Sequence, residues 1–213
     1  MYDCFLFDLD GTLTDPSVGI TNSVKYALDK FGVTIEDESL LLKFIGPPLV
    51  EGFRDLCGFS HEDSLKATEY YRETFRIKGI FENLVYDGIT EMLESLKSNG
   101  KKIVLATSKP EEFAIQIMEY FDLAKYFDFM AGATFDSTRS NKGAVIKYAL
   151  ENINLPDGAK AVMVGDRYHD IEGAKQNGID SIGVLYGFGS KEELESAGAD
   201  YTVETANEIL KFV

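Results

Sequence analysis

Short apolar runs separated by stretches of helical spacing constrain this chain more than any other feature. Residues 4–7, 103–106, 129–131, 161–164 and 181–185 are each too apolar to leave a face in water, so they predict strands covered on both sides. Helical patterns fall between the later runs. Ile89, Met92, Leu93 and Leu96 share one helix face, and Gly100 stands where a C-terminal cap belongs. Pro110 suits the first position of the next helix, with Glu111 and Glu112 complementing its dipole. Residues 142–151 and 170–177, the latter closed by Gly178, complete the alternation. Strand and helix repeated in this way predict an α/β fold, a Rossmann-like three-layer core with a parallel sheet between helices.

Residues 17–77 break that rhythm, with helical patterns and no strand pattern. Val24, Ala27, Leu28 and Phe31 form a stripe ended by Gly32, and a helix over 36–43 stops before Gly46-Pro47-Pro48. Ser60 with Asp63 has the form of a capping box, opening a helix that runs through Arg76. An all-α insert is therefore expected over 15–81, dividing the α/β core into 1–14 and 82–213. The 213 residues carry a net charge of −15, which argues against nucleic acid or an anionic membrane as partner. Cys4 and Cys57 are too few for a disulfide framework, pointing to a reducing compartment. The start lacks a basic segment leading into an apolar one, and no apolar run nears the ~18 residues of a membrane span. A soluble, cytoplasmic protein is expected.

The chemistry concentrates in Asp8-Leu9-Asp10-Gly11-Thr12-Leu13-Thr14-Asp15. Asp8 closes the first apolar run, and alternation places Asp8 and Asp10 on one side with Leu9 opposed. Two carboxylates leaving the C-terminal end of a parallel strand lie where open α/β sheets bind ligands. Such a pair is costly unless a cation neutralises it, which implies a bound metal. The bland alternative is a surface Asp-Gly turn. Three further groups follow in order: Thr107-Ser108-Lys109 at the end of the next core strand, Lys142 before a helix, and Gly165-Asp166 with Asp170 at the end of a later strand.

Together these four motifs resemble the haloacid dehalogenase superfamily of aspartate-nucleophile phosphatases, whose first motif is Asp-x-Asp-Gly-Thr/Val. The match covers nearly the whole core. It implies that Asp8 takes up the phosphoryl group as an aspartyl-phosphate and that Asp10 is the general acid, later activating water. Thr107, Ser108 and Lys142 become the phosphate-binding groups, Thr107 and Lys142 counting also as catalytic. Asp8, Asp166 and Asp170 form a hard oxygen cluster suited to Mg²⁺, with the backbone carbonyl of Asp10 added by the family pattern. Asp170 serves equally well as an N-cap, and its direct contact with metal ranks below that of Asp166.

The insert after the first motif corresponds to the family's helical cap, a lid that helps select substrate. Within the superfamily the chain is most similar to the phosphoglycolate phosphatase-like branch, which also holds enzymes acting on nucleotides. The expected function is a Mg²⁺-dependent phosphatase acting on a small phosphorylated metabolite, as a monomer or homodimer. A 5'-nucleotidase and a β-phosphoglucomutase-type phosphotransferase are the alternatives of the same superfamily. Those mutases carry a His a few residues beyond the position of Asp15, where this chain has Gly19-Ile20-Thr21. A phospho-receiver signalling domain is the alternative of a different class, disfavoured by the insert. A dehalogenase is disfavoured by intact Asp10, Asp166 and Asp170.

Other signals read as structural. Gly187-Phe188-Gly189 lacks the third glycine of a dinucleotide loop and is expected to form a turn. Cys57 and His61 have the spacing of two zinc ligands but no second pair. His169 reads as a loop side chain, and Tyr70, Tyr71 and Phe75 as insert core. Lys25, Arg54, Arg72 and Arg76 are candidate anion contacts in the cap, each more simply a surface charge.

Overall fold

The computed structural model describes residues 1–35, 37–136 and 138–213. The chain forms two compact units, Met1–Asp15 with Val85–Val213, and Pro16–Leu84. In the first unit, strands β1 (Cys4–Phe7), β4 (Lys102–Pro110), β5 (Phe129–Ala133), β6 (Ala161–Gly165), β7 (Asp180–Val184) and β8 (Tyr201–Val203) build one sheet. Its order is β5-β4-β1-β6-β7-β8, and every neighbouring pair runs parallel. Two-residue strands β2 (Thr14–Asp15) and β3 (Leu84–Val85) mark where the chain leaves this unit and returns.

The first apolar run becomes the central strand. Cys4 pairs with Lys102 on one side and Ala161 on the other, so β1 has no edge to protect. All four of its residues are buried, as a strand covered on both faces requires. Cys4 and Leu6 join Val104, Ala106 and Met163 under Val145, Ile146 and Ala149 of helix α6 (Lys142–Asn152). Phe5 and Phe7 point to the opposite face, where the Phe7 ring meets Phe127 edge-on. Helices α4 (Ile89–Ser98), α5 (Glu111–Tyr120), α7 (Tyr168–Gln176) and α8 (Lys191–Ala197) also belong to this unit, with 3-10 helices at Ala124–Tyr126 and Ala206–Phe212.

Strand β4 departs from its expected form in a way that matters for the site. It runs on to Pro110, and its register against β5 shifts between Ala106 and Pro110, across Thr107-Ser108-Lys109. Pro110 accordingly caps α5 instead of opening it. Strand β8 was not foreseen, because Tyr201 is exposed and only Val203 is buried, leaving no apolar run to read.

The second unit contains α1 (Ser17–Asp29), a 3-10 helix (Glu38–Phe44), α2 (Leu49–Cys57), α3 (His61–Thr74) and a π-helical turn (Phe75–Gly79). Glu36, at the head of the helix expected over 36–43, lies outside the described residues. Ile20, Val24, Ala27 and Leu28 of α1 are buried as the stripe requires, while Phe31 falls beyond the helix end and stacks on Phe59. Ser60 caps α3 by accepting from Asp63 N at 3.0 Å. Tyr71 and Phe75 are buried and stacked, and Tyr70 packs on Phe31. Among the described residues, no helix is long and apolar enough to cross a membrane.

Truncating the central strand tests this packing. Leu6→Ala should cost ~2–5 kcal/mol in urea denaturation, because the sheet and α6 confine the cavity it leaves. Lys147→Ala, on the exposed side of α6, should stay within ~0.5 kcal/mol of the parent.

Candidate active site

The site stands where β1, β4 and β6 end. Asp8 follows β1 directly, its N–H donating to Val164 O of β6 at 2.9 Å and its Oδ1 accepting from Leu9 N at 2.7 Å. Strand alternation does not carry on to Asp10, because β1 stops at Phe7. A tight turn replaces it: Leu9 O accepts from the N–H groups of Thr12, Leu13 and Thr14, and Gly11 holds φ at +84°. That left-handed conformation favours glycine, and a Cβ there would lie 2.1 Å from Asp166 Oδ2. The Asp-Gly turn is thus buried machinery of the core.

Lys142 opens α6, which is capped by Asn141 accepting from Ala144 N at 2.9 Å. Its ammonium is buried and lies 2.7 Å from Asp8 Oδ1, 2.9 Å from Asp170 Oδ1 and 3.0 Å from Ala106 O. Burial works against this charge, but the Asp170 and Asp8 carboxylates outweigh it and raise the lysine's pKa. Asp166 follows β6 and is fully buried; its Oδ2 accepts from Phe188 N at 2.8 Å. Asp166 Oδ1 is buried with no hydrogen-bond partner among the described residues. Asp170 sits in the first turn of α7 and is not its N-cap; that place belongs to Arg167, whose N–H donates to Asp170 Oδ2 at 3.1 Å.

Asp8, Asp166 and Asp170 each bring a carboxylate oxygen within 4.8 Å of the others. Burial, reinforced by the charges of Asp170 and Asp8, pushes Asp166 up to about 8. Asp170 is raised by burial and by Asp8, against the pull of Lys142. Three clustered carboxylates, two of them on one ammonium and the third with an orphaned oxygen, fit a hard divalent cation, for which oxygen donors are the matching chemistry.

Asp10 is held apart from this group. Its Oδ2 accepts from the buried Lys109 ammonium at 2.5 Å, while Oδ1 is buried without a hydrogen-bond partner among the described residues. Burial raises its pKa, with Lys109 opposing and Asp8 reinforcing. Thr107 is buried and its Oγ1 accepts from Lys109 N at 3.2 Å; Ser108 is half-buried between them. Lys109 has no partner legible from sequence spacing; a lysine closing an apolar strand is the one signal of its role.

Gly187-Phe188-Gly189 lies in a bend, as expected, but against the site. A Cβ on Gly187 would fall 2.3 Å from Gly11 O and 2.4 Å from Asp166 Cβ, so only glycine lets Phe188 N reach Asp166. Tyr186 adds a hydrogen bond to Thr12 O at 3.0 Å. His169 belongs to the first turn of α7, stacked against Tyr168, and is not part of the carboxylate cluster. Cys57 ends α2 and His61 begins α3, and neither enters a metal-ligand group among the described residues. Lys25, Arg54 and Arg72 pair with Glu38, Asp55 and Glu69 on the surface of the helical unit, and Arg76 is exposed there.

Residues 5–184 match the family of haloacid dehalogenase-like hydrolases. A 5'-nucleotidase of Pseudomonas aeruginosa is 45% identical over 195 residues, covering 92% of this chain and 88% of that protein. The tyrosine-protein kinase PtkA of Mycobacterium tuberculosis is 36% identical over 203 residues, 94% of this chain and 68% of that protein. The crystal structure of a predicted phosphatase from Clostridium acetobutylicum superposes with a TM-score of 0.92 at 51% identity, over 100% of this chain and 98% of that one.

The crowding of carboxylates has a pH signature in metal-free protein. Asp166 keeps its proton up to about 8 when folded but releases it near ~3.9 when unfolded, so its contribution to stability falls as pH rises between those values. With chelator at pH 8, Asp166→Asn should melt at least ~2 °C above the parent, and the gap should close toward pH 4. Melting curves with a pH-independent gap would contradict this account.

Proposed function

Because the chain belongs to the haloacid dehalogenase-like hydrolases, we propose that it is a Mg²⁺-dependent phosphatase hydrolysing small phosphate monoesters through an aspartyl-phosphate on Asp8. The observation that carries this reading is the contact of one buried ammonium, Lys142, with both Asp8 and Asp170 beside the orphaned oxygen of Asp166. A carboxylate at the end of the central strand is fixed in place, and the groups around it offer both signs of charge. Phosphoryl transfer asks mainly for such positioning and charge stabilisation.

In this reading Asp8 is the nucleophile, and Asp10 protonates the leaving oxygen and then activates water. Thr107, Ser108 and Lys142 hold the phosphoryl oxygens. Asp8, Asp166 and Asp170, with the backbone carbonyl of Asp10, would hold Mg²⁺, which when bound supplies positive charge to the phosphoryl oxygens. The unit Pro16–Leu84 takes the part of the cap, and the protein acts in the cytoplasm.

For the substrate class, the 45% identity to a protein named 5'-nucleotidase supports nucleoside 5'-monophosphates. Phosphoglycolate, which the branch resemblance implies, is the comparison arm. Water is the proposed acceptor. Ile20, near the place where the mutases carry a histidine, is a buried apolar side chain of α1 and cannot make that residue's hydrogen bond.

Phosphate release from a panel of nucleotides, phosphoglycolate and β-glucose 1-phosphate, with Mg²⁺ and with chelator, tests the proposal. Metal-dependent release ranked by kcat/KM is the expected result. Turnover of the sugar phosphate to glucose 6-phosphate, or transfer from ATP to protein tyrosine without hydrolysis, would replace it. Asp8→Asn should lose at least ~10³-fold in kcat while remaining folded. Asp10→Asn should lose ~10²–10⁴-fold, the usual share of proton transfer. Asp166→Asn should need more Mg²⁺ for half-maximal rate, and an unchanged metal titration would remove it from the ligand set.

A further inference from the structure

The two carboxylates of the first motif are held by different lysines. Lys142 touches Asp8, whereas Lys109 reaches Asp10 Oδ2 at 2.5 Å and leaves Oδ1 buried with no hydrogen-bond partner among the described residues. Lys109 is buried, and its own N–H is tied to Thr107 Oγ1 at 3.2 Å within β4, so the ammonium is delivered from the sheet. We propose that Lys109 is a positioning residue for phosphoryl transfer: it clamps Asp10 Oδ2, so that Oδ1 is the oxygen that exchanges protons with the leaving group and with water. The inference rests on the phosphatase reading and adds to it the orientation of the acid.

The chemistry of the groups supports this division. An ammonium only donates, and the carbonyl oxygen of a carboxylic acid is its better acceptor, so the Lys109 contact at Oδ2 favours a proton on Oδ1. A carboxyl fixed at one oxygen presents the other in a set direction, which removes a rotational search from the transition state. In the first step the bond from Asp8 to phosphorus forms as the ester P–O bond breaks, and the Oδ1 proton passes to the leaving oxygen to give the alcohol. Water then attacks phosphorus and gives a proton to Oδ1 while the Asp8–phosphorus bond breaks. Inorganic phosphate leaves, and both carboxyls regain their starting states. Lys109 keeps its grip on Oδ2 throughout.

A positioning role for the acid predicts dependence on the leaving group. An alkyl phosphate expels a basic alkoxide and needs the proton; p-nitrophenyl phosphate expels a stable anion and does not. Lys109→Met should lower kcat/KM for a nucleoside 5'-monophosphate by roughly tenfold or more, and for p-nitrophenyl phosphate by less than ~3-fold. Lys109→Arg should recover part of the alkyl-ester loss. Lys109→Gln, which keeps a donor without the charge, supplies the same comparison if the methionine variant does not fold. Equal losses on both substrates would overturn the inference and mark Lys109 as a general structural or phosphate-binding group. A parent enzyme inactive on both substrates with Mg²⁺ would instead remove the phosphatase reading beneath it.

Discussion

A single ammonium, Lys142, touches three elements at once: Ala106 O within β4, Asp8 just past the end of β1 and Asp170 in the first turn of α7. An isolated buried carboxylate would neutralise itself, and three of them would repel one another apart. With a lysine among them they stay gathered, yet more negative than positive charge remains. The surrounding structure therefore serves to hold an unfavourable arrangement in place. Gly11 and Gly187 admit backbone to within reach of Asp166, and Phe188 N takes up one of its oxygens. Such stored electrostatic tension is the usual condition of a functional site, and here the C-terminal ends of the central strands β1, β4 and β6 are committed to it.

The parts of the fold that were legible in the sequence are those where burial on two faces leaves an unbroken apolar run. The strands β1, β4, β5, β6 and β7 all announce themselves in this way, and the capping chemistry of Ser60 and the stripe of α1 do the same for the helical unit. Strand β8 and helix α2 do not. One is a half-exposed edge; the other does carry an apolar stripe, Leu49, Val50, Phe53, Leu56 and Cys57, but it spans only nine residues directly after Gly46-Pro47-Pro48.

The site was legible as a set of residue types and motif positions, and less so as a set of contacts. Motif spacing cannot say which lysine answers which carboxylate. Strand alternation suggested that Asp8 and Asp10 act side by side, whereas the turn at Gly11 sends them to separate partners. Lys109 meets Asp10 from the stretch of β4 where the register against β5 shifts, an irregularity that motif spacing does not announce. Gly187-Phe188-Gly189 read as punctuation for the same reason: its importance lies in what it approaches, Asp166 and the distant Gly11.

The position of β1 also bears on how the molecule comes into being. The strand at the middle of the sheet leaves the ribosome well before either strand it pairs with, since Cys4 meets Lys102 on one side and Ala161 on the other. At roughly 5–20 residues per second, this wholly apolar segment waits several seconds for its first neighbour. Meanwhile the helical unit, Pro16–Leu84, is contiguous in sequence and is complete before β4 is made. The nascent chain thus carries an unpaired apolar strand, open to chaperones or to aggregation, until β4 arrives.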